Sequence, residues 1–597
     1  MFNPISLITW QLLLFILIVL LWTLIVVYLD KKGILKRYGM DRIWILALMW
    51  RTEKGRGLID RIASKKKAWM RISTGGFIFF FTGMLFMFIL LAISAFISVT
   101  SPLVKPVKAS EVLVLPGINP YVPFIYGIIG LVVAVVAHEL SHGIIARVMG
   151  FKVKALGLLF ILIPIGAFME PDEEEVEKAP RLSRMRMFSA GPVMNFILAF
   201  LFLGLFSFGM MGSLHADGEP LIITEVSSSS PAHLSLDAHP KALYNLNGTR
   251  ITSNMDLYEY NRTDPGGYVF AEFKMNGGRY LVPMVAGVMI IGIVEDTPAE
   301  VSGLQEGDIL TSVDGHPIKS GMDFHNIMES TEAGQNINIT VLSPLRNERG
   351  EILLKMRLSE DLLEQGNASL WEEFDEDTVP LYEGTMEFPE YVRISHNITL
   401  DDKGDHYYSS NFKGKGYLGV STSYLGISGV GSSPFLEVLH HPFSSGNTLL
   451  ERFQNMISIT FYLPLQTDRM PFHDPLTDIY DVHGPLSILP ESIFWFLANT
   501  IFYIFWLNIL LGLFNALPMI PLDGGFVFRD AMVYILRWIL GIPGKLLKRE
   551  LTSGPFRKRS DEELSRLART ISIAASFLVL SLIIASLMGP RLQLLFR

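Results

Sequence analysis

The chain has 597 residues, of which 50% are hydrophobic and 18% are charged, with a formal net charge of −8. Because an average soluble domain carries about 25% charged residues, this composition predicts several membrane spans together with a sizeable soluble part. The chain contains no cysteine, which excludes disulfides, thiolate metal ligands and a cysteine nucleophile. Any metal site must therefore use His, Asp or Glu.

Six segments reach the length of about 20 apolar residues that a membrane helix needs, namely 7–29, 75–99, 122–147, 187–212, 492–517 and 568–588. The first is interpreted as a retained span, because Asp30-Lys31-Lys32 follows it without the small-residue pattern of a cleavage site. Lys and Arg crowd residues 30–72 and 518–567. By the positive-inside rule these stretches are cytoplasmic, and residues 213–491 lie outside.

The N-terminal region, residues 1–121, carries no motif with an obvious chemistry. It predicts two membrane helices around a basic cytoplasmic loop. Within that loop, residues 40–51 (MDRIWILALMWR) predict an amphipathic helix lying on the membrane surface. We expect this region to anchor the protein.

The third predicted span contains the sequence His-Glu-Leu-Ser-His. Residues four apart on a helix share a face, so His138 and His142 can bind one ion, while Glu139 can take a proton from water at that ion. Zinc lowers the pKa of such a water from about 16 to about 7, and the pattern is typical of zinc hydrolases. A chance match is the alternative, but spans rarely carry such residues without a partner or function. The predicted topology places His138 in the cytoplasmic third of the bilayer.

Two further segments follow this motif. Residues 155–169 are apolar but are interrupted by Pro164 and Gly166, so a reentrant segment and a plain connecting loop both remain open. The next span opens with Ser-Ala-Gly-Pro-Val-Met-Asn-Phe, residues 189–196, in which Gly and Pro permit close helix packing. On pattern alone, Asn195 is best explained as a hydrogen-bond partner of a neighbouring helix.

The long outer region contains an internal repeat with a constant offset of 67 residues. Thr297-Pro298-Ala299, Gly315, Ile318, Ser320 and Met322-Asp323-Phe324 are echoed by Ser230-Pro231-Ala232, Gly248, Ile251, Ser253 and Met255-Asp256-Leu257. The offset implies duplicated modules. The second copy resembles a PDZ domain, whereas the first has Leu236 and Pro240 in place of two glycines, and both copies as mere spacers remain an alternative. Residues 417–420 are expected to form a closing strand of either module.

A carboxylate lies at the end of the fifth predicted span, in Leu522-Asp523-Gly524-Gly525. Two prolines, Pro518 and Pro521, end or kink the helix before it. Asp523 thus lies at a similar depth to the two histidines, and an Asp oxygen completes a His-His-carboxylate site that leaves one tetrahedral position for water. Alternatively, Asp523 only caps the helix that follows it.

These motifs together resemble the site-2 protease family of intramembrane zinc metalloproteases. The resemblance rests on His138 to His142, on Gly191 to Asn195, on Gly484-Pro485 before a span, and on Asn515 through Gly525. It implies one zinc ion bound by His138, His142 and Asp523, with Glu139 as general base. It also implies a membrane-embedded β-hairpin over 156–169 that pairs with substrate through Ile163, Ile165 and Gly166, and substrate contacts from Asn195, Asn508 and Asn515.

The resemblance further implies the substrate and the location. Family members cleave transmembrane proteins within the lipid bilayer, often after another protease has trimmed the outer part, and nucleic acid is not a partner. We therefore expect a multi-pass protein of a prokaryotic cell membrane, with an active site toward the cytoplasm. Its fold class is a polytopic α-helical membrane protein with about six transmembrane helices, a reentrant β-hairpin and an extracytoplasmic β-rich tandem PDZ-like region that gates or docks substrate.

The predicted domains follow from these assignments. They are the anchor region (1–121), the first core part (122–212), a degenerate PDZ-like module (213–288), a second module (289–345), an outer insert and juxtamembrane segment (346–483), the second core part (484–530), and a cytoplasmic segment with a C-terminal span (531–597). Two rival functions remain. One is a membrane adaptor with a vestigial metal site, and the other is a prenyl-protein peptidase, for which a Glu is expected as third ligand.

Overall fold

The fold is that of a computed structural model, which describes residues 17, 20–43, 47–52, 56–100, 114, 116–161, 163–227, 230, 242–275, 278–347, 352, 354–357, 387–407, 410–444, 446, 448–459, 472, 477–539 and 555–596. The chain forms two compact units. The first comprises Met1–Leu205 and Thr500–Arg597, and the second comprises Phe206–Asn499. The His-Glu-x-x-His motif and Asp523 belong to the first unit, and the repeat belongs to the second.

Helices dominate the N-terminal part of the first unit, namely α1 (Ile34–Arg37), α2 (Arg56–Ala63), α3 (Lys66–Thr100), α4 (Phe124–Met149), α5 (Glu173–Lys178) and α6 (Arg181–Gly204). By length and composition α3, α4 and α6 can each cross a membrane, and α6 continues through a π-turn and a 3-10 turn to Ser213. This confirms the predicted spans 75–99, 122–147 and 187–212 as apolar helices. The predicted span 7–29 lies mostly outside the described residues, although the chain is helical from residue 20.

A four-stranded antiparallel sheet consists, in spatial order, of β1 (Met40–Arg42), β2 (Leu48–Thr52), β3 (Val153–Ile161) and β4 (Ile163–Pro171). The segment 155–169 is therefore a β-hairpin and not a plain loop. The predicted surface helix over residues 40–51 is wrong, because these residues supply β1 and β2, and β2 pairs with β3 from Leu48↔Phe160 to Thr52↔Leu156. A bare hairpin would leave the backbone groups of β3 unpaired in apolar surroundings, and a strand satisfies them where a helix cannot.

The second unit is rich in short strands, which are β5 (Leu214–Ala216), β6 (Leu221–Val226), β7 (Ala242–Leu246), β8 (Thr249–Arg250), β9 (Tyr268–Met275), β10 (Gly278–Val285), β11 (Val288–Ile293), β12 (Ile309–Val313), β13 (His316–Pro317), β14 (Asn336–Pro344), β15 (Leu354–Arg357), β16 (Glu387–Pro389), β17 (Tyr391–Thr399), β18 (Asp401–Asp402), β19 (Gly416–Tyr417), β20 (Val420–Tyr424), β21 (Ile427–Gly431) and β22 (Tyr480–Val482). Its helices are α7 (Asn254–Glu259), α8 (Pro298–Val301), α9 (Gly321–Glu329), α10 (Lys403–Tyr407), α11 (Ser432–His440) and α12 (Leu449–Ile457).

Two six-stranded antiparallel sheets organise this unit. The first has the order β10-β9-β7-β6-β21 with β8 paired to β7, and the second has the order β17-β14-β12-β11-β20 with β13 paired to β12. The closing strand expected at residues 417–420 is divided in the structure, because Tyr417 ends β19, which pairs with β18, and Val420 begins β20, which completes the second sheet. The adjacent β21 completes the first sheet. One hydrophobic core runs through both sheets, from Leu221 and Ile427 to Val288 and Ile339.

The internal repeat is visible in the three-dimensional structure. The hairpins β7–β8 and β12–β13 correspond residue for residue, with Asn245↔Arg250 matching Ser312↔Pro317. Both turns use left-handed backbone at equivalent positions, at Asn247 and Gly248 (φ 43° and 74°) and at Asp314 and Gly315 (φ 49° and 77°). The helices that follow, α7 and α9, each begin with a capping box, formed by Ser253 with Asp256 and by Ser320 with Asp323. Local turn and capping chemistry has therefore been kept in both copies.

The C-terminal part consists of α13 (Glu491–Ala516), α14 (Asp523–Ile539) and α15 (Pro555–Phe596). Within it, Glu491–Ala516 and Asp561–Arg591 are long and apolar enough to cross a membrane, which confirms the predicted spans 492–517 and 568–588 as apolar helices. Helices α4 and α13 approach closely at Gly130, where an added Cβ would lie 2.8 Å from the Tyr503 carbonyl oxygen. The described residues thus contain five candidate membrane spans.

Candidate metal centre

Helix α4 presents both motif histidines to one place. His138 and His142 are buried, at 6% and 7% exposure, and their ring centroids lie 4.8 Å apart. This is the geometry expected from two imidazoles one helical turn apart. An apolar helix therefore carries two nitrogen ligands into its buried face.

Asp523 reaches the same place from the first residue of α14. Its Oδ2 atom lies 3.0 Å from Nε2 of His138 and 3.2 Å from Nε2 of His142, although the two histidines precede it by 385 and 381 residues. Among the described residues, these three side chains form the group of His, Asp and Glu suited to hold a metal ion, with ligand atoms within 4.8 Å of one another. Starting a helix and facing the histidines are thus compatible roles for Asp523.

The far nitrogen of each imidazole is fixed by an oxygen acceptor. Nδ1 of His138 lies 3.0 Å from the Asn195 side-chain oxygen, and Nδ1 of His142 lies 2.7 Å from the Met187 carbonyl oxygen, both on α6. Since both partners accept, each Nδ1 carries the proton and donates it. Both Nε2 atoms then present a lone pair toward Asp523, as metal-binding histidines do.

These residues fit a zinc ion in three respects. Ligand atoms about 2.0–2.1 Å from zinc at tetrahedral angles lie roughly 3.3 Å apart, close to the observed 3.0 and 3.2 Å. Three acceptor atoms converging in a buried place repel each other unless a cation or protons lie between them. Thirdly, Gly191 leaves the space in front of the two Nε2 atoms clear, because an added Cβ would lie 2.5 Å from Nε2 of both histidines.

Glu139 lies beside the metal ligands on α4 and faces the hairpin. Its Oε2 atom accepts a hydrogen bond of 3.0 Å from the Met169 backbone N–H on β4. A cavity of about 210 Å³ is lined in part by Glu139, and its other walls include Trp50, Gly157 and Phe168. Glu139 therefore borders a mainly apolar space large enough for a side chain.

The remaining predicted site residues occupy different surroundings. Ile163, Ile165 and Gly166 lie on β4, the last strand of its sheet, and the side chains of the two isoleucines are outside the described part of the structure. Asn508 is fully buried and donates to the Ile504 carbonyl on its own helix. Asn515 is partly buried and donates to the Leu511 carbonyl at 3.1 Å. The described hydrogen bonds join neither amide to the metal ligands.

Asn195 has a more specific position than the sequence indicated. It is fully buried, and besides its contact with His138 its amide nitrogen donates to the Ala134 carbonyl at 3.4 Å. Because Asn195 contacts the Nδ1 side of the His138 ring, its position favours a role in orienting this imidazole. The helix–helix hydrogen bond expected from pattern alone describes it well.

Sequence reasoning missed four contributions. The Met187 carbonyl and the Met169 amide are backbone groups, for which the side-chain pattern carries no signal. Gly191 was noted for helix packing, yet its closest neighbours would be ligand nitrogens. The contribution of Trp50 was hidden because its segment was predicted as a helix.

A His-Glu-x-x-His pair on one helix, completed by a carboxylate from another, defines the zinc-metallopeptidase class of site. Residues 126–542 match Peptidase family M50, a range that includes all three ligands and covers more than half of the chain. The chain therefore belongs to Peptidase family M50. Membership and donor set together identify the ion of this centre as zinc.

Several curated relatives are similar over shorter stretches. An uncharacterized protein of Methanocaldococcus jannaschii is 35% identical over 143 residues, which cover 24% of this chain and 37% of the relative. A putative zinc metalloprotease of Neisseria meningitidis is 26% identical over 263 residues, covering 36% and 58%. The magnetosome formation protease MamE of Paramagnetospirillum magneticum is 38% identical over 66 residues, covering 11% and 9%. The matched segments thus span less than two thirds of each of these relatives.

Proposed function

We propose that this protein is an intramembrane zinc metalloprotease that cleaves transmembrane segments of membrane proteins in regulated intramembrane proteolysis. The observation that carries this proposal is the convergence of buried His138 and His142 with partly buried Asp523. The two histidines and Glu139 lie on a helix apolar enough to cross a membrane. Buried ionisable groups in such a helix are costly unless they function together. The substrate is a membrane protein already trimmed by another protease.

The described residues divide the chemistry among them. Zinc, when bound, polarises the scissile carbonyl and lowers the pKa of water, so that water can lose a proton and attack this carbonyl at neutral pH. Glu139 accepts the proton from that water and later delivers it to the leaving amine. Asn195 and the Met187 carbonyl hold the two imidazoles so that Nε2 faces inward. Met169 N–H orients the Glu139 carboxylate.

Strand β4 is the proposed partner of the substrate. A peptide bond in a transmembrane helix is shielded by helical hydrogen bonds, so the substrate must unwind before attack. An extended substrate segment can then pair with the outer edge of β4 at Ile163, Ile165 and Gly166. Because the Met169 amide on this strand holds Glu139, the strand that aligns substrate also fixes the base. Asn508 and Asn515 are proposed to stabilise substrate backbone from α13 once it enters.

The two duplicated modules of the second unit are proposed to be PDZ-like domains that gate or dock substrate outside the cytoplasm. The support is their shared hairpin, capping box and helix in each copy, with a sheet to which a peptide strand can be added. Leu236 and Pro240, where the second copy has glycines, lie outside the described residues. The catalytic site is then directed toward the cytoplasmic side of a prokaryotic cell membrane.

The test compares purified Glu139→Gln and Asp523→Ala variants with the wild type in bilayers containing a model transmembrane substrate. Glu139→Gln is expected to keep its zinc and to lose about 10²- to 10⁴-fold in cleavage rate, because only the proton acceptor is removed. Asp523→Ala is expected to lose zinc. Equal zinc content and equal cleavage in wild type and Glu139→Gln would favour an adaptor with a vestigial site. Full zinc occupancy in Asp523→Ala would favour a peptidase with a different third ligand.

A further inference from the structure

A second cavity, of about 650 Å³, lies beside the metal centre and is lined by α5, α6, α14 and α15. This volume is within the range of about 300–1,000 Å³ typical of small-ligand sites. Its walls include four guanidinium groups, from Arg181, Arg184, Arg529 and Arg569. The rings of Phe188 and Phe526, stacked at 4.7 Å, form an apolar part of the same wall. The proposed peptidase chemistry uses none of these side chains.

One of the four arginines is fully engaged. Arg184 binds Asp530 with two hydrogen bonds, of 2.8 Å from Nε and 2.6 Å from a terminal nitrogen, and Asp530 is only 2% exposed. This bidentate pair occupies both oxygens of the buried carboxylate. Asp530 therefore has little capacity left to neutralise the other arginines.

Within the described residues, none of the other three arginines donates a hydrogen bond to a carboxylate. Arg181 donates to the neutral Ser565 hydroxyl at 2.7 Å. Arg529 lies 3.9 Å from the Asp530 carboxylate that Arg184 already holds. Arg569 has no hydrogen bond or ion pair among the side chains that the structure describes. Glu173 and Glu177 also border the cavity, but both are exposed, and neither forms an ion pair with these arginines within the described residues.

The electrostatics of Arg529 reflect this crowding. Burial is the largest influence and lowers the pKa of its guanidinium, the carboxylates of Asp530 and Glu177 act in the opposite direction, and the neighbouring positive charges of Arg184 and Arg569 lower the pKa further. A group that remains protonated under these conditions gains from an added anion. Planar guanidinium groups bind phosphate oxygens in pairs, so phosphate is the anion that such a cluster fits.

The position of the cavity indicates which class of phosphate compound it binds. Arg181 begins one candidate membrane span, and Ser565 and Arg569 lie near the start of another, Asp561–Arg591. Side chains at the ends of spans lie at the depth of lipid headgroups, and basic pockets between such helices suit anionic lipids. We propose that this cavity binds the phosphate headgroup of an anionic phospholipid through Arg181, Arg529 and Arg569.

The cavity shares elements with the metal centre. Met187, whose carbonyl accepts from His142, lines the cavity, and Asp530 lies on the helix that begins with Asp523. A headgroup bridging α6, α14 and α15 would stabilise the packing that holds these groups. The consequence for cleavage rests on the proposed function, whereas lipid binding does not require the protein to be a peptidase.

The experiment measures lipid retention by the full-length protein, without a cleavage readout. The protein is purified in nanodiscs of phosphatidylcholine alone or of an equimolar mixture with phosphatidylglycerol, and bound lipid is counted by native mass spectrometry after release into detergent. Arg529→Gln and Arg569→Gln are each expected to weaken phosphatidylglycerol retention about tenfold, because each removes one charged donor. Arg566→Gln is the matched control, since Arg566 is exposed on the same helix as Arg569 and does not line the cavity.

Each outcome decides the proposal. Selective phosphatidylglycerol binding that falls in the two cavity variants, but not in Arg566→Gln, supports it. Equal losses in all three variants would indicate nonspecific surface attraction and overturn it, as would the absence of any preference for phosphatidylglycerol. A third arm adds inorganic phosphate, and displacement of lipid at low phosphate concentration would identify a soluble phosphate compound as the ligand and refute the lipid. Failure of these tests would leave the zinc and cleavage results of Glu139→Gln unaffected.

Discussion

The Gly191→Ala substitution would fill the space in front of the Nε2 atoms of His138 and His142 with a single methyl group. A Cβ at this position would lie 2.5 Å from Nε2 of both His138 and His142, a distance comparable with the separation of zinc from its ligands. To relieve this contact, α6 must move or both imidazoles must rotate away from Asp523. Overpacking of this kind costs about 1–3 kcal/mol. If the cost falls on the bound state, the Gly191→Ala variant should bind zinc roughly 5- to 150-fold more weakly.

The same substitution at Gly204 is the matched control. Gly204 ends the same helix, and an added Cβ there would meet nothing within 4 Å. Both variants are measured by competition with a zinc chelator, followed by determination of bound metal. Helix propensity alone favours Ala over Gly by about 1 kcal/mol, so a loss of zinc without a fall in thermal stability would exclude simple unfolding. Wild-type zinc affinity in Gly191→Ala would refute the inference that Gly191 keeps the ion position clear.

Three further predictions follow from other contacts. Asn195→Ala removes the acceptor that orients His138, and chelator competition should show about a 10- to 100-fold loss of zinc affinity, whereas unchanged affinity would contradict an orienting role. Trp50→Ala enlarges the cavity beside Glu139, so profiling of cleaved sequences should show larger residues next to the scissile bond, and an unchanged profile would exclude this cavity from recognition. Ser253→Ala and Ser320→Ala should each lower the free energy of unfolding by about 0.5–2 kcal/mol in chemical denaturation of the full chain, and a loss in only one would show that the caps are not equivalent.

The metal centre was predictable because its ligands follow helix geometry. The spacing of His138 and His142 fixes one face of a helix, and the end of the fifth span limits the depth of Asp523. The hydrogen-bond partners of the Nδ1 atoms of the two histidines were not predictable to the same degree. The Met187 carbonyl, for example, belongs to the backbone, and its position depends on helix packing. Asn195 shows the same limit, because an amide side chain in an apolar helix indicates a buried hydrogen bond but does not indicate which residue is its partner.

The fold shows where local pattern is insufficient. Residues 40–51 have the apolar content of a surface helix, but the open edge of β3 determines their structure, and that edge lies more than a hundred residues further along the chain. Apolar runs of this length fit either a strand or a helix, and tertiary pairing selects between them. In contrast, the repeat was readable from sequence because turn and capping residues such as Gly315 and Ser320 act through local backbone geometry.

The placement of β20 and β21 constrains how the second unit can form. Only Leu425 and Gly426 separate these strands, yet each completes a different sheet. During synthesis the second sheet cannot acquire β20 until residue 424 has left the ribosome, and the first cannot acquire β21 until residue 431 has left it. The first strand of each sheet was made more than a hundred residues earlier. Closing such long loops costs little more than closing short ones, because the entropy cost grows only with the logarithm of length. We therefore expect the two modules to reach their final state together, late in translation.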